Sequence, residues 1–333
     1  MISADPPATR QSRRDMVRVA LGRGALLLAG LALAAWLVGA AGYRAVWHVL
    51  EPAGRWLPVV VLCEVLLILL DVAAIRVLLG EAARAVAFRT WLRSTTLAYT
   101  SMVFLPAGRA TGEIVRAATL APDVGAARAS GACTRLQACA LAGGTVISAV
   151  GALVVALHWG VRSILVLGLI ANGLGCGLMA ATLFALVRSQ RFATWLRRKM
   201  RWFVDKHAPS IHLPPPARAE VAGVLLSSFG RVIQVLQYGV ILHAVGGVAS
   251  FTLALTAQGI HLVGAAIGDA IPNQMGATEG VYRAFASQLG FATEPARALS
   301  IALLARVAQI GIAVACLLVG TLVGRQPTIE ARP

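Results

Sequence analysis

The sequence predicts an all-α, polytopic membrane protein of about six full spans plus two re-entrant helical hairpins, arranged as an inverted repeat. Three observations predict it. Hydrophobic residues make up 58% of the chain and charged residues only 13%, about half of the ~25% usual in soluble domains. Several apolar runs reach the ~20 residues that a helix needs to cross a ~30 Å hydrocarbon core. Two prolines inside apolar sequence, Pro106 and Pro272, are each followed seven residues later by a glutamate.

Residues 1–23 form a basic tail carrying Arg10, Arg13, Arg14, Arg18 and Arg23. This tail and the apolar run after it are longer than the matching parts of a secretory signal. An uncleaved first span is therefore expected at 24–43, with the N-terminus cytoplasmic. Further spans are expected at 57–80, 134–158, 161–187, 220–245 and 298–320, followed by a tail at 321–333. The loop 188–219 is rich in arginine, and Phe192, Leu196 and Phe203 fall near one helical face. That pattern suits a basic amphipathic helix on an anionic cytoplasmic leaflet.

Arginine placement decides how 93–117 is threaded. A full crossing there would put the loop 188–219 outside, against the positive-inside bias. A hairpin that dips in and returns keeps it cytoplasmic. A second such hairpin is expected near 250–290. Non-helical backbone at membrane depth is tolerated only when buried in protein or lining a wet cavity.

The two segments resemble each other. "LPAGRATGEIVRA" (105–117) matches "IPNQMGATEGVYRA" (271–284), and an arginine follows each glutamate, Arg116 and Arg283. From the prolines to the next expected spans is 28 and 26 residues. The chain thus reads as two copies, 24–158 and 161–320, of span, span, hairpin, span. Three crossings per copy invert the second relative to the first, a pattern typical of transporters whose interrupted helices mark the binding site.

Proline and glycine explain the break. Pro106 lacks an amide hydrogen and clashes with the preceding turn, so one half-helix stops there. Gly108 and Gly112 let the chain turn and restart. The new helix points free amides and a positive dipole end at the break. Arg109 and Arg116 add cations, and Glu113 can hold either of them at helical spacing. This suits an anionic group, most simply a phosphate; the other reading is a hairpin stapled by its own ion pairs. The second hairpin offers Gly276, Glu279 and Arg283, with Glu279 at the same distance from its proline as Glu113. Glu64 and Asp71 lie seven residues apart in one span. Carboxylates at membrane depth cost several kcal/mol, so they must face the bundle interior, be protonated or pair with cations, for which Arg231 and Arg306 are the obvious candidates; proton or substrate coupling is the other reading. His243 and His261 are expected as hydrogen-bonded core residues.

Several function classes are excluded at this stage. The net charge of +16 would suggest nucleic acid in a soluble protein, but here the basic residues flank spans, and no nucleic acid is expected. The five cysteines form no C-x-x-C pair, so neither a zinc site nor a disulfide framework is indicated. There is no Walker-type loop, no His/Asp/Glu cluster spaced for a metal and no catalytic triad. No cofactor and no enzymatic activity are expected.

"LPAGRATGEIVRAATL" resembles the P-x-x-x-x-x-G-E-x-x-R stretch of the lysylphosphatidylglycerol synthase transmembrane-domain family, also called flippase-like proteins. "AIPNQMGATEGVYRAFASQLG" and "ALSIALLARV" are similar to its C-terminal motifs, closest to the hopanoid-biosynthesis-associated branch. The resemblance implies a translocator of lipids or lipid-linked head groups. It assigns importance to Pro106, Gly112, Glu113, Arg116, Pro272, Gly276, Glu279 and Arg306. Two departures stand out. "PNQMG" replaces a Gly-rich turn, and "TRLQ" at 134–137 lacks the acidic residue often beside the equivalent of Arg135. The lysyl-transferase domain fused in some members is absent here, so aminoacyl-lipid synthesis is not expected.

The expected function is a lipid translocase of the cytoplasmic membrane. Arg109, Arg116, Arg135, Arg283 and Arg306, with Gly112 and Gly276, would bind an anionic or phosphate-bearing lipid. Glu113 and Glu279 would orient the arginines or exchange protons. The alternatives are a non-transporting scaffold for a lipid- or glycan-modifying enzyme, and a lipid-modifying enzyme using Glu64 and Asp71.

Overall fold

The computed structural model describes residues 28, 32–189 and 217–324. The expected amphipathic helix, which falls in 190–216, lies outside the described residues, as do the basic tail and the last nine residues. Every regular element among the described residues is helical.

Helix α1 (Ala32–Ala41) stops at Gly42, whose φ of 88° is costly for any residue with a Cβ. Helix α2 (Tyr43–Ala53) runs through a 3₁₀ turn into α3 (Leu57–Leu79), which has proline in its first turn, where a missing amide hydrogen costs nothing. The first hairpin is α4 (Phe88–Phe104) and α5 (Gly108–Val124). Then come α6 (Ala126–Trp159), α7 (Ile164–Arg188) and α8 (Ala217–Ala244). The second hairpin is α9 (Phe251–Gly268), a 3₁₀ turn at Pro272–Gln274 and the short α10 (Ala277–Ala284). Helix α11 (Pro295–Gly324) closes the bundle.

Six segments are long and apolar enough to cross a membrane: Tyr43–Ala85, α6, α7, α8, α9 and α11. The number agrees with expectation but the membership does not. The described part of the expected first span is only the short α1, whereas α9, expected as a re-entrant arm, is among the six. Its 18 residues extend about 27 Å at ~1.5 Å each, close to the hydrocarbon thickness. The arms of the first hairpin, 17 residues each, extend about 25 Å. The second arm of the other hairpin, α10, has eight residues.

Outward-facing Leu157, Leu174, Leu178, Leu225, Leu318 and Leu322 are exposed, a surface suited to hydrocarbon rather than water. Helix α9 is the central one: 61% of its most apolar stretch is buried, against 22–39% for the other five segments. The packing is crosswise. The first arm of each hairpin rests on the last helix of the other half, α4 on α11 and α9 on α6, while α3 packs on α8. One apolar core gathers Leu169, Ile241, Ile260 and Ile301. A second, with Ile75, Leu120 and Leu136, sits under the first hairpin.

Candidate functional site

Both helices break beside the prolines, the first ending two residues before Pro106 and the second four residues before Pro272. Helix α4 ends at Phe104, and Ala107, just past Pro106, adopts a left-handed φ of 56° before α5 restarts at Gly108. Helix α9 ends at Gly268, and Asn273, just past Pro272, has φ 51°, followed by Gln274 at 55° and Gly276 at 80°. Left-handed non-glycine residues cost about 1–3 kcal/mol each and persist where surroundings impose them. The tips touch: the Ala107 amide donates to the Asp269 carbonyl at 3.1 Å.

The ion pairs around these tips differ from the expected ones. Asp71 accepts from the Arg109 guanidinium at 2.8 Å, linking α3 to the first tip. Glu113 lies 3.3 Å from Arg116 on the next turn of the same helix, with both side chains buried. Glu279 pairs with Arg306 at 2.8 Å, and its other oxygen accepts from the Gly276 amide at 2.8 Å and from the Thr278 hydroxyl at 3.0 Å. Arg306 also donates to Thr278 and to the Asn273 carbonyl. Glu64 pairs with neither Arg231 nor Arg306. It accepts instead from Gln309 at 3.1 Å, Gln237 at 3.2 Å and Tyr99 at 3.4 Å, neutral donors from three other helices. The expected pairing is thus corrected: Asp71 takes Arg109, Glu279 takes Arg306, and Glu64 is solvated by dipoles. Three neutral donors let a buried carboxylate keep its hydrogen bonds without a second desolvated charge.

Other expected site residues fall in structural roles. Arg135 lies 3.6 Å from Glu220 of α8, which also pairs with Arg188. The acid missing beside Arg135 in sequence thus comes from a distant helix. Arg283 stacks over the Trp36 ring at 5.8 Å. A Cβ on Gly112 would meet Met102 Cγ at 2.5 Å and the Ala98 carbonyl at 2.8 Å, so this glycine lets the hairpin arms close. His243, expected in the core, is instead exposed and packs edge-on against Trp56, while His261 lies against Tyr238.

The structure also assembles a pocket. Asp71, Arg109, Ser227, Gly230, Arg231 and Gln234 line a cavity of about 60 Å³ between α3, α5 and α8. Arg231 donates to Gln234 at 2.7 Å, and among the described residues no carboxylate lies within ion-pair distance of it. Arg109 Nε and the Ser227 hydroxyl are buried without hydrogen-bond partners. Two cations face one carboxylate here, with donors unspent. A water needs roughly 10–15 Å³ of such space, so the cavity has room for a group about the size of a tetrahedral oxyanion. Sequence reasoning picked out Asp71, Arg109 and Arg231 but missed Ser227 and Gln234. The signal was present: Ser227, Arg231 and Gln234 stand at i, i+4 and i+7, one face of a helix.

Comparison with known families matches residues 25–317 to the family described as the lysylphosphatidylglycerol synthase TM region. No curated protein and no solved structure is significantly similar to the chain.

Proposed function

Since the chain belongs to the lysylphosphatidylglycerol synthase transmembrane-region family, we propose that it is a translocator of lipids or lipid-linked head groups rather than an enzyme. We place it nearest the hopanoid-biosynthesis-associated branch on the strength of its C-terminal motif. The cargo carries an anionic group, most simply a phosphate, which sits between Arg109 and Arg231. The observation that carries this reading is the pocket itself. It holds an arginine without a carboxylate partner, beside the tip of a broken helix that touches the tip of a second one. Family membership supports lipid head-group handling in general, and the pocket chemistry supports an anionic group. The crosswise packing of α4 on α11 and α9 on α6 supports two inverted halves, with the first hairpin read as re-entrant from the cytoplasmic side and the second from the opposite side.

Arg231→Met is the clean test. Arg231 holds no carboxylate, so removing it leaves no buried anion behind, whereas removing Arg109 would strand Asp71. Native mass spectrometry of the purified protein is expected to show a phosphate-bearing lipid retained by wild type and lost by Arg231→Met. In proteoliposomes, movement of labelled phosphatidylglycerol between leaflets is expected to fall in parallel. If both proteins carry the same bulk lipids and neither moves lipid, the reading fails and a scaffolding role takes its place.

A further inference from the structure

Between α5 and α6 runs a groove of about 480 Å³, within the range of ligand-holding clefts. Its floor is α5, through Ala110, Glu113, Ala117 and Ala121, and its wall is α6, through Ser130 and Gln137. Leu183, five residues before the end of α7, closes one side. Two adjacent helices lined with small residues would ordinarily close on each other. Here they leave space.

Polar atoms without partners sit in that space. Glu113 is 5% exposed, and among the described residues nothing stronger than the neighbouring Cys133 thiol donates to its carboxylate. Arg116 at 3.3 Å balances its charge without supplying hydrogen bonds of good geometry, and its own Nε and Nη1 have none. The Cys133 thiol beside the carboxylate is a weak donor. The Gln137 side-chain oxygen is likewise buried without a partner. A buried acceptor left empty is costly. The tip around the groove is apolar and exposed at Phe104, Leu105 and Ile114, and α6 and α7 are long enough to span a membrane. What reaches the groove is therefore lipid.

The geometry points to a lipid-binding subsite at which a neutral hydroxyl-bearing lipid donates to Glu113 and Gln137 while its chain lies along the alanines of α5. The missing element is a donor, not a charge. Glu113 already faces Arg116, and Asp71 already faces Arg109, so an added ammonium or phosphate would unbalance the site. This subsite goes beyond the anionic-group reading and does not depend on Arg231.

The test uses the full-length protein in detergent, native mass spectrometry and three probes: dioleoylglycerol, its 3-O-methyl ether and oleylamine. Wild type is expected to retain dioleoylglycerol at least ~10-fold over the ether, which lacks the donor. Glu113→Gln keeps a weaker, neutral acceptor and is expected to reduce that preference, and Glu113→Gln combined with Gln137→Leu, which removes the second acceptor, is expected to erase most of it. Ala118→Trp fills the groove from an exposed position. It is expected to abolish retention of both lipids with little change in melting temperature. Arg231→Met is expected to keep the hydroxyl preference while losing phosphate lipids, so failure of this subsite and failure of the anion pocket are told apart. Equal retention of the ether would overturn the subsite, as would displacement by oleylamine, or dioleoylglycerol still held by Ala118→Trp.

Discussion

The two hairpins share a motif and use it differently. In each, a left-handed residue follows the proline and a buried glutamate follows seven residues on. In the second hairpin Glu279 is spent on structure. It accepts from the Gly276 amide at the cap of α10 and from the Thr278 hydroxyl, and pairs with Arg306 from the final helix. In the first, Glu113 has its helical neighbour Arg116 at 3.3 Å and the weak Cys133 donor, and its carboxylate lines a groove. Length accounts for much of this. Helix α10 has eight residues and needs an anchor, while α5 has 17 and holds itself by packing in its own core. A repeated motif therefore does not imply a repeated role: the saturated copy is a clasp and the unsaturated copy is available to a ligand.

The largest effect that would break this contrast is on Glu279. Glu279→Ala strands buried Arg306 and frees the Gly276 amide, and is expected to cost about 3–5 kcal/mol. Glu113→Gln keeps an acceptor beside Arg116 and is expected to cost less than half as much. Denaturant unfolding in mixed micelles compares them, and equal losses would mean that both glutamates are clasps. Next comes Gly112→Leu. Its side chain collides with Met102 and the Ala98 carbonyl, so the arms of the first hairpin must part. A loss of about 2–3 kcal/mol is expected, with cross-linking between cysteines on α4 and α5 reporting the separation.

Gly276→Ala sharpens the contrast from the other side. At φ 80° the added Cβ is strained, and a cost of about 1–2 kcal/mol is expected in thermal unfolding. The smallest effects are at the tips. Ala107→Gly relieves a left-handed alanine and is expected to stabilise by up to ~1 kcal/mol after the added chain entropy is counted. Asn273→Gly should change little, because asparagine tolerates that conformation. A destabilised Ala107→Gly would show that the alanine methyl, not the turn, holds the first tip.

Much of this could be read from the residues. Apolar runs of sufficient length named the helices, and Pro106 placed a break to within two residues of the observed end of α4. Arg109, Glu113 and Glu279 were found because charges in apolar sequence are expensive. The partners could not be read. Asp71 and Arg109 are 38 residues apart, Glu64 and Gln309 are 245 apart, and Glu220 reaches Arg135 across two helices. The expected pairing of Glu64 and Asp71 with Arg231 and Arg306 failed because several cations satisfy the same need for charge neutralisation. Only proximity chooses among them, and a glutamine serves as well.

By itself the sequence determined that this chain is helical and membrane-embedded, where its helices break, and which side chains cannot face hydrocarbon. Those follow from local chemistry: the transfer cost of charge, the missing amide of proline and the number of residues in each apolar run. The tertiary structure alone decided which glutamate is clasped and which is open, that Arg231 meets no carboxylate among the described residues, and that α5 and α6 leave a groove. These depend on how helices distant in sequence are brought to share one interior, and hydropathy carries no information about which neighbour a buried charge will meet.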